Sequence, residues 1–242
     1  RDDDHPMSVT RLVVQGAALA PGEIRVPAAA AHHARVTRVA PGDPVELLDL
    51  AGAVAVGTLA RWDEKACVIQ VTRVERERGE PPAPLVLGLA VLHTQAFDWA
   101  VEKATELGTT AIVPVLAERV QGGRRGARVE RWQRIADAAV AQCGRTRPAG
   151  VAEPETLFDF LAAARGVRLV AHPGAPMPAA FAPDAGGVTV LVGPEGGFTG
   201  EELATAGAVG FAGLPLGPRI LRAETAVVAA LTLAQDLAGW LR

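Results

Sequence analysis

Two short segments near the C-terminus combine glycine, proline and charged residues in an order suited to holding a ligand. The first motif, residues 191–202, reads LVGPEGGFTGEE, and the second motif, residues 216–226, reads LGPRILRAETA. Each follows an apolar run typical of a β-strand, at residues 188–192 and 211–216. Glycine lets the backbone approach a ligand closely, and turns after strands leave N–H and C=O groups free to bind it. Side by side, the two motifs would form a pocket.

Either motif alone is also compatible with an ordinary connection between a strand and a helix. Thr199 and Glu202 have the S/T-x-x-E spacing of a capping box, so part of the first motif is expected to begin a helix. Neither motif contains GxxxxGK[ST] or GxGxxG, which disfavours P-loop and Rossmann phosphate sites. We therefore predict a pocket of another kind, built by the pair of motifs.

Together the motifs resemble those of the RsmE-like family of SPOUT methyltransferases, which use S-adenosylmethionine (SAM) to methylate N3 of one uridine in bacterial 16S rRNA. The resemblance spans most of residues 85–242 and is weaker over residues 1–75. It includes DWAVEKATELG at 98–108, ERWQRIA at 130–136 and QCGRTR at 142–147, in the family's order. Alanine at positions 96 and 141 departs from the charged residues usual in the family, so we assign those side chains no role.

The resemblance implies which residues form the SAM pocket. One wall would be formed by the first motif, through Gly193, Glu195, Gly196 and Gly197. The other wall would be formed by the second motif, through Leu216, Gly217, Ile220, Leu221, Arg222, Thr225 and Ala226. It also implies an α/β SPOUT domain with a trefoil knot, which periodicity cannot reveal.

Methyl transfer to N3 of uridine requires loss of the N3 proton, so a base must accept it or a cation must stabilise the resulting anion. Arg222 is the candidate cation because guanidinium stays charged at any relevant pH. Glu195 is a candidate base, and Glu224 is a second. Glu195 could instead orient its turn or bind the SAM ribose, and Glu224 could pair with Arg222 or favour a helix N-terminus.

The net charge of −3 argues mildly against a nucleic-acid partner, but the charges are unevenly distributed. Residues 119–147 contain eight arginines and two acidic residues, a local excess that could steer a phosphate backbone. An arginine-rich composition would produce the same excess without any function. The candidate RNA contacts are Arg35, Arg38, Arg119, Arg145 and Arg147.

The chain divides at residues 75–84, where charges and three prolines predict a linker. Residues 1–74 contain four short β-type runs, at 12–14, 45–48, 54–59 and 67–71, and by resemblance form a PUA-like β-barrel that binds RNA. Residues 85–242 alternate strand-like and helix-like runs, which predicts an α/β domain with a mostly parallel sheet. The strand-like runs include 85–92 and 110–116, and the helix-like runs 97–107 and 129–143 each carry one apolar face. Residues 1–6 contain three acids and no apolar stretch, so we interpret them as an extension and not as a secretory signal.

No apolar run approaches the ~20 residues of a membrane span. Cys67 and Cys143 match no metal or redox spacing, and the histidines show no zinc-ligand spacing, so we expect no metal. These features favour a cytoplasmic protein with reduced thiols.

The expected partner is 16S rRNA, within the 30S subunit. A homodimer is also expected, because SPOUT enzymes complete their site with a partner subunit. An apolar stripe on the C-terminal helix could serve this contact or face its own sheet: Val227, Ala230, Leu231, Ala234 and Leu237. Two other functions remain open, a ribose 2′-O-methyltransferase of the same class and a non-catalytic ribosome-assembly factor that keeps the fold.

Overall fold

The computed structural model describes residues 9–120 and 128–241. Arg124 and Arg125 of the arginine-rich stretch, and the extension predicted at residues 1–6, lie outside the described residues. The chain forms two compact units. The N-terminal unit contains residues 1–80 together with 140–147, and the C-terminal unit contains residues 81–139 and 148–242.

The N-terminal unit is built on a five-stranded sheet of order β1-β3-β4-β5-β2. Strand β1 is parallel to β3, and the other neighbours are antiparallel. Its elements are β1 (Thr10–Val13), β2 (Gly22–Val26), α1 (Ala28–Val36), β3 (Pro44–Leu48), β4 (Ala53–Asp63) and β5 (Ala66–Arg76). The four strand-like runs predicted from the sequence correspond to β1, β3, β4 and β5, whereas β2 and α1 were not predicted.

Alternating side chains of these strands form the core of the N-terminal unit, in which Leu12, Leu47 and Ile69 are fully buried. Strand β5 continues through Arg76, two residues into the stretch predicted as a linker. Glu77 and Glu80 of that stretch then bond to residues 145–147, so these linker positions have fixed partners within the unit.

The C-terminal unit contains a parallel sheet of order β12-β10-β11-β6-β7-β8, with β9 paired to β7. This confirms the predicted α/β class. Its elements are β6 (Leu85–Ala90), α2 (Thr94–Glu106), β7 (Ala111–Leu116), α3 (Val129–Cys143), β8 (Gly150–Val151), β9 (Glu155–Thr156), α4 (Leu157–Ala163), β10 (Val167–Ala171), β11 (Val188–Val192), α5 (Gly200–Ala208), β12 (Ala212–Leu214) and α6 (Ala223–Leu237). The last residues of α3, from Val140, group with the N-terminal unit.

Two helices of the C-terminal unit bury the apolar faces that their sequences predict. Helix α2 buries Phe97, Ala100, Val101 and Ala104, and it ends before Gly108, whose φ of +89° suits glycine. Helix α6 buries four of the five stripe residues in the core of its own unit: Val227, Ala230, Leu231 and Ala234. The stripe therefore faces its own sheet, and it gives no support to a dimer contact.

None of the helices in residues 9–120 and 128–241 is long and apolar enough to cross a membrane.

Candidate functional site

The neighbouring strands β10, β11 and β12 are parallel, so their carboxyl ends meet at one edge of the sheet. A cavity of about 320 Å³ lies there. It is formed by the turn after β10, the first motif after β11 and the second motif after β12. The His172 N–H donates to the Leu214 carbonyl oxygen at 3.1 Å, which joins the β10 turn to β12.

The cavity brings together nine of the eleven residues predicted to bind the cofactor: Gly193, Glu195, Gly196, Gly197, Leu216, Gly217, Ile220, Leu221 and Ala226. Their pairing across two motifs, separated by α5 and β12, is the arrangement predicted from the sequence. Whether these residues bind a cofactor stays a prediction at this stage.

Arg222 and Thr225 are not among the residues that line the cavity. Arg222 is the N-cap residue of α6, with an extended backbone, and its carbonyl oxygen accepts from the Ala226 N–H at 2.8 Å. Its side chain is exposed beside the cavity wall. Within the described residues no ion pair joins Arg222 to Glu224, so the alternative that Glu224 neutralises this arginine has no support in the geometry.

Two glycines of the motifs have backbone conformations that other residues rarely adopt. The φ of Gly197 is +67° and that of Gly217 is +95°, and an added Cβ at either position would have no atom within 4 Å. The backbone is therefore open toward space at both positions. At Gly193, an added Cβ would lie 3.0 Å from the Phe198 ring, so a side chain there would require that ring to shift.

The capping box predicted from Thr199 and Glu202 is present at the start of α5. The Thr199 hydroxyl accepts from the Glu202 N–H at 3.2 Å, and Glu202 Oε2 accepts from the Thr199 N–H at 2.8 Å. The other carboxylate oxygen, Oε1, accepts from the Glu118 N–H at 2.8 Å. Glu202 therefore fixes the helix start and also the turn after β7.

Sequence reasoning missed several residues of the cavity. His172 and Pro173 follow β10, Phe198 and Leu203 belong to the first motif and α5, and Arg219 lies in the second motif. A signal existed for the first two, because the apolar run VRLVA at 167–171 precedes His-Pro-Gly just as the predicted strands precede their motifs.

Four of the five predicted RNA contacts have exposed side chains, and three of these four have no ion-pair partner among the described residues. Arg35 stacks over Trp62 at 4.5 Å and donates to the Glu64 carbonyl oxygen. Arg38 follows α1 with a φ of +58°. Arg119 lies in the C-terminal unit, where its Nη1 donates to the Gly196 carbonyl oxygen at 3.0 Å.

The other two predicted RNA contacts are already paired within the N-terminal unit. Arg145 is 3% exposed and donates from Nη2 to Glu80 at 2.6 Å. This corrects the prediction for Arg145, because a buried guanidinium held by a carboxylate cannot reach an RNA phosphate without leaving that partner. Arg147 is exposed and bonds to Glu77 at 2.6 Å, so any RNA contact would compete with that pair.

The chain resembles known RNA-modifying proteins along most of its length. A family model described as an RNA methyltransferase domain matches residues 79–235. A protein of Synechocystis sp. is 33% identical over 230 residues, which cover 91% of this chain and 75% of the relative. A protein of Mycobacterium bovis is 33% identical over 221 residues, which cover 83% of this chain and 80% of the relative. Both are named ribosomal RNA small subunit methyltransferase E.

Two solved structures share the architecture. The ribosomal RNA small subunit methyltransferase E of Neisseria gonorrhoeae, bound to SAM, has a TM-score of 0.82 and 28% identity, covering 95% of this chain and 98% of that one. A putative methyltransferase from Legionella pneumophila, in complex with SAM, has a TM-score of 0.80 with the same identity and coverage. The fold and the cavity thus define an RNA methyltransferase domain. The chain belongs to the ribosomal RNA small subunit methyltransferase E family.

Proposed function

We propose that this protein is a SAM-dependent methyltransferase that modifies N3 of a specific uridine in 16S rRNA of the small ribosomal subunit. The observation that carries the proposal is the cavity at the carboxyl ends of β10, β11 and β12, lined by both motifs. Two neighbours of the same architecture are bound to SAM, and the named relatives act on small-subunit rRNA.

The residues around the cavity suit SAM. The backbone is open at Gly197 and Gly217, where an adenine or ribose could approach N–H and C=O groups without meeting a side chain. Leu216, Ile220 and Leu221 add an apolar wall. Ile220 is 82% exposed, and a bound adenine would cover apolar surface that otherwise faces water.

Bound SAM would supply a methyl group on a sulfonium, which a nucleophilic ring nitrogen can accept in line without a metal ion. The contribution of the chain would be positioning and charge stabilisation. Arg222 lies within the second motif, at the start of α6, and would stabilise the negative charge that develops on the uracil as N3 loses its proton. Glu195 is exposed at the cavity and would accept that proton.

We further propose that the N-terminal unit is a PUA-like RNA-binding domain and that Arg35 and Arg38 contact the RNA. The support is the exposure of both side chains and the five-stranded sheet that carries them. The finer fold proposal is a trefoil knot in the C-terminal unit, which rests on the family resemblance.

A homodimer in the cytoplasm is part of the same proposal. It rests on the family resemblance alone, since the stripe on α6 is buried in its own unit. Light scattering at micromolar concentration should give twice the chain mass of 25.1 kDa. A particle of the single-chain mass would contradict the dimer.

The function is tested by incubating undermethylated 30S subunits with the protein and methyl-labelled SAM, then digesting the 16S rRNA to nucleosides. We expect label in 3-methyluridine at one position. Label in a 2′-O-methylated nucleoside would indicate the ribose-modifying alternative. SAM binding without transfer to the 30S subunit or to free 16S rRNA would favour the non-catalytic assembly factor.

A further inference from the structure

The turn after β7 is tied to the first motif by two side chains. Arg119 Nη1 donates to the Gly196 carbonyl oxygen at 3.0 Å, and Glu202 Oε1 accepts from the Glu118 N–H at 2.8 Å. Strand β6 lies between β7 and β11 in the sheet, so this turn reaches across one strand to contact the motif. The contact is therefore made by tertiary structure, and no local sequence pattern predicts it.

The part of the motif that Arg119 contacts has few other restraints. Gly196 and Gly197 have no side chains, and within the turn the Gly197 N–H donates to the Pro194 carbonyl oxygen at 2.8 Å. Glycine loses more conformational entropy on ordering than any other residue. This glycine-rich turn is therefore ordered further by Arg119, because the hydrogen bond fixes the orientation of the Gly196 peptide group.

The side chain of Arg119 also lies alongside Gly196. A Cβ added to Gly196 would lie 3.5 Å from both Cβ and Cδ of Arg119, an ordinary contact distance. The aliphatic part of the arginine therefore borders the space that a side chain at position 196 would occupy, while its guanidinium bonds the Gly196 carbonyl oxygen. Together these contacts hold the peptide on one side and leave the open side of Gly197 toward the cavity.

We propose that Arg119 is a positioning residue that pre-orders the first motif for SAM, rather than an RNA contact. The proposal rests on the proposed function for the identity of the ligand. Glu202 assists through the Glu118 N–H, because it fixes the backbone from which Arg119 extends. A loop ordered before binding loses less entropy when the ligand arrives, so removal of Arg119 should weaken SAM binding without changing any atom that touches SAM.

The first test measures the loop itself, in the full chain without SAM or RNA. Arg119→Ala should speed amide hydrogen exchange at Gly197 by about 10-fold, the size expected for loss of a hydrogen bond with a charged donor. The melting temperature should not change, because Arg119 is exposed. Unchanged exchange at Gly197 would overturn the proposal, whether or not the protein binds SAM.

The second test is a calorimetric titration with SAM in the absence of RNA. Arg119→Ala should weaken binding by about 10-fold, and Arg119→Lys should restore part of the loss, since an ammonium can still donate to the carbonyl oxygen. Arg134→Ala is the matched control, because this exposed arginine also donates to a backbone carbonyl, that of Glu130 at 3.2 Å, within α3. It should bind SAM as the wild type does.

Arg119 could order the first motif or contact only RNA, and these two roles predict different SAM affinities for Arg119→Ala. An arginine that contacts only RNA would leave SAM affinity unchanged and raise the KM for the 30S substrate, and that result would overturn the proposal. A wild-type protein that fails to bind SAM would contradict the proposed function, while the exchange measurement would still decide whether Arg119 orders the motif.

Discussion

The arginines of the N-terminal unit and those beside the cavity of the C-terminal unit differ in what they contact. In the N-terminal unit, Arg11 and Arg78 share the Glu46 carboxylate, and Arg145 is buried against Glu80. Beside the cavity, Arg219 and Arg222 are exposed, and neither has an ion-pair partner within residues 9–120 and 128–241. Arg11, Arg78 and Arg145 are thus occupied by the protein's own acids, unlike the exposed Arg35 and Arg38 of the same unit, whereas Arg219 and Arg222 remain available to a ligand.

This difference shows why a count of arginines is a poor guide to an RNA surface. A guanidinium that loses its water must be compensated by a carboxylate or other acceptors, so a buried arginine needs a partner, and an exposed arginine can be paired as well. The stretch 119–147 has a large positive excess, yet Arg131, Arg145 and Arg147 are matched by acids from elsewhere in the chain. Only the tertiary structure distinguishes paired from available arginines.

The largest effect should come from removing the buried acid of the N-terminal unit. Glu80 accepts from Arg145 at 2.6 Å, from the Thr146 N–H at 2.9 Å and from the Arg147 N–H at 2.9 Å. Glu80→Ala would leave the Arg145 guanidinium buried without its carboxylate. We expect a loss of about 3 kcal/mol in the free energy of unfolding, measured by urea denaturation of the full chain.

The matched control is Glu77→Ala, which removes the exposed partner of Arg147. Exposed pairs contribute little, because water solvates both charges. We expect a much smaller loss in the free energy of unfolding than for Glu80→Ala. Equal losses for the two variants would contradict the distinction between buried and exposed pairs.

The sequence predicted the elements whose patterns are determined locally. Periodicity identified α2, α3 and the core strands β6 and β11, because their apolar residues recur at the spacing of one face or form a continuous buried run. It missed β2 and α1. Strand β2 has only one fully buried residue, Val26, and the alanines of α1 carry almost no amphipathic pattern.

The site was predictable in part for the same reason. The glycines and prolines of the two motifs indicate turns by themselves, and the strands before them indicate where those turns lie. The β10 turn with His172 carries the same local signal but was missed, and its place beside the two motifs follows from the sheet order, in which β10 lies between β11 and β12. The bond from Arg119 to Gly196 was unpredictable, since it joins residues 77 apart in sequence.

The next largest effect should be on the rate of methyl transfer. If Arg222 stabilises the charge that develops on the uracil, the interaction is stronger in the transition state than in the ground state. Arg222→Ala should then lower the single-turnover rate on 30S subunits at saturating SAM by about 10²–10³-fold, while SAM affinity falls much less. Arg222→Lys should restore only part of the rate, because an ammonium does not reproduce the planar fork of donors.

The opposing hypothesis is that Arg222 only stabilises the start of α6. It predicts a lower melting temperature and weaker SAM binding together with the lower rate. A rate near that of the wild type for Arg222→Ala would exclude a catalytic role for this residue.

A smaller effect should depend on pH. The hydrogen bond from Arg78, together with the bond from Arg11, holds the pKa of Glu46 below its ordinary value of 4.5, against the opposing effect of burial. A carboxyl whose pKa is lowered by folding stabilises the protein above its unfolded pKa, and this stabilisation is lost as the pH falls through the folded pKa. The stabilisation from Glu46 should therefore be complete at neutral pH, should begin to fall as the pH approaches 4.5, and should be lost only once the pH passes below the lowered pKa of the folded state.

Glu46→Gln tests this directly, because the amide cannot titrate. The difference in unfolding free energy between the wild type and Glu46→Gln should be largest at neutral pH and should shrink in acid. A difference that stays constant across this range would mean that the Glu46 charge does not stabilise the N-terminal unit.

The smallest expected effect is on the salt dependence of RNA binding. It compares two arginines of the N-terminal unit, one available to RNA and one paired with an acid. Arg38 is exposed and has no ion-pair partner in the described part of the chain, whereas Arg73 is paired with Glu75 at 2.8 Å. If Arg38 contacts a phosphate, Arg38→Ala should lower the slope of log affinity against log salt by about 1, because one fewer counterion is released. Arg73→Ala is the control and should leave the slope unchanged, since its charge is already matched by Glu75. Filter binding to 16S rRNA at several salt concentrations measures both slopes. A larger change in slope for Arg73→Ala than for Arg38→Ala would show that pairing does not decide which arginines bind RNA.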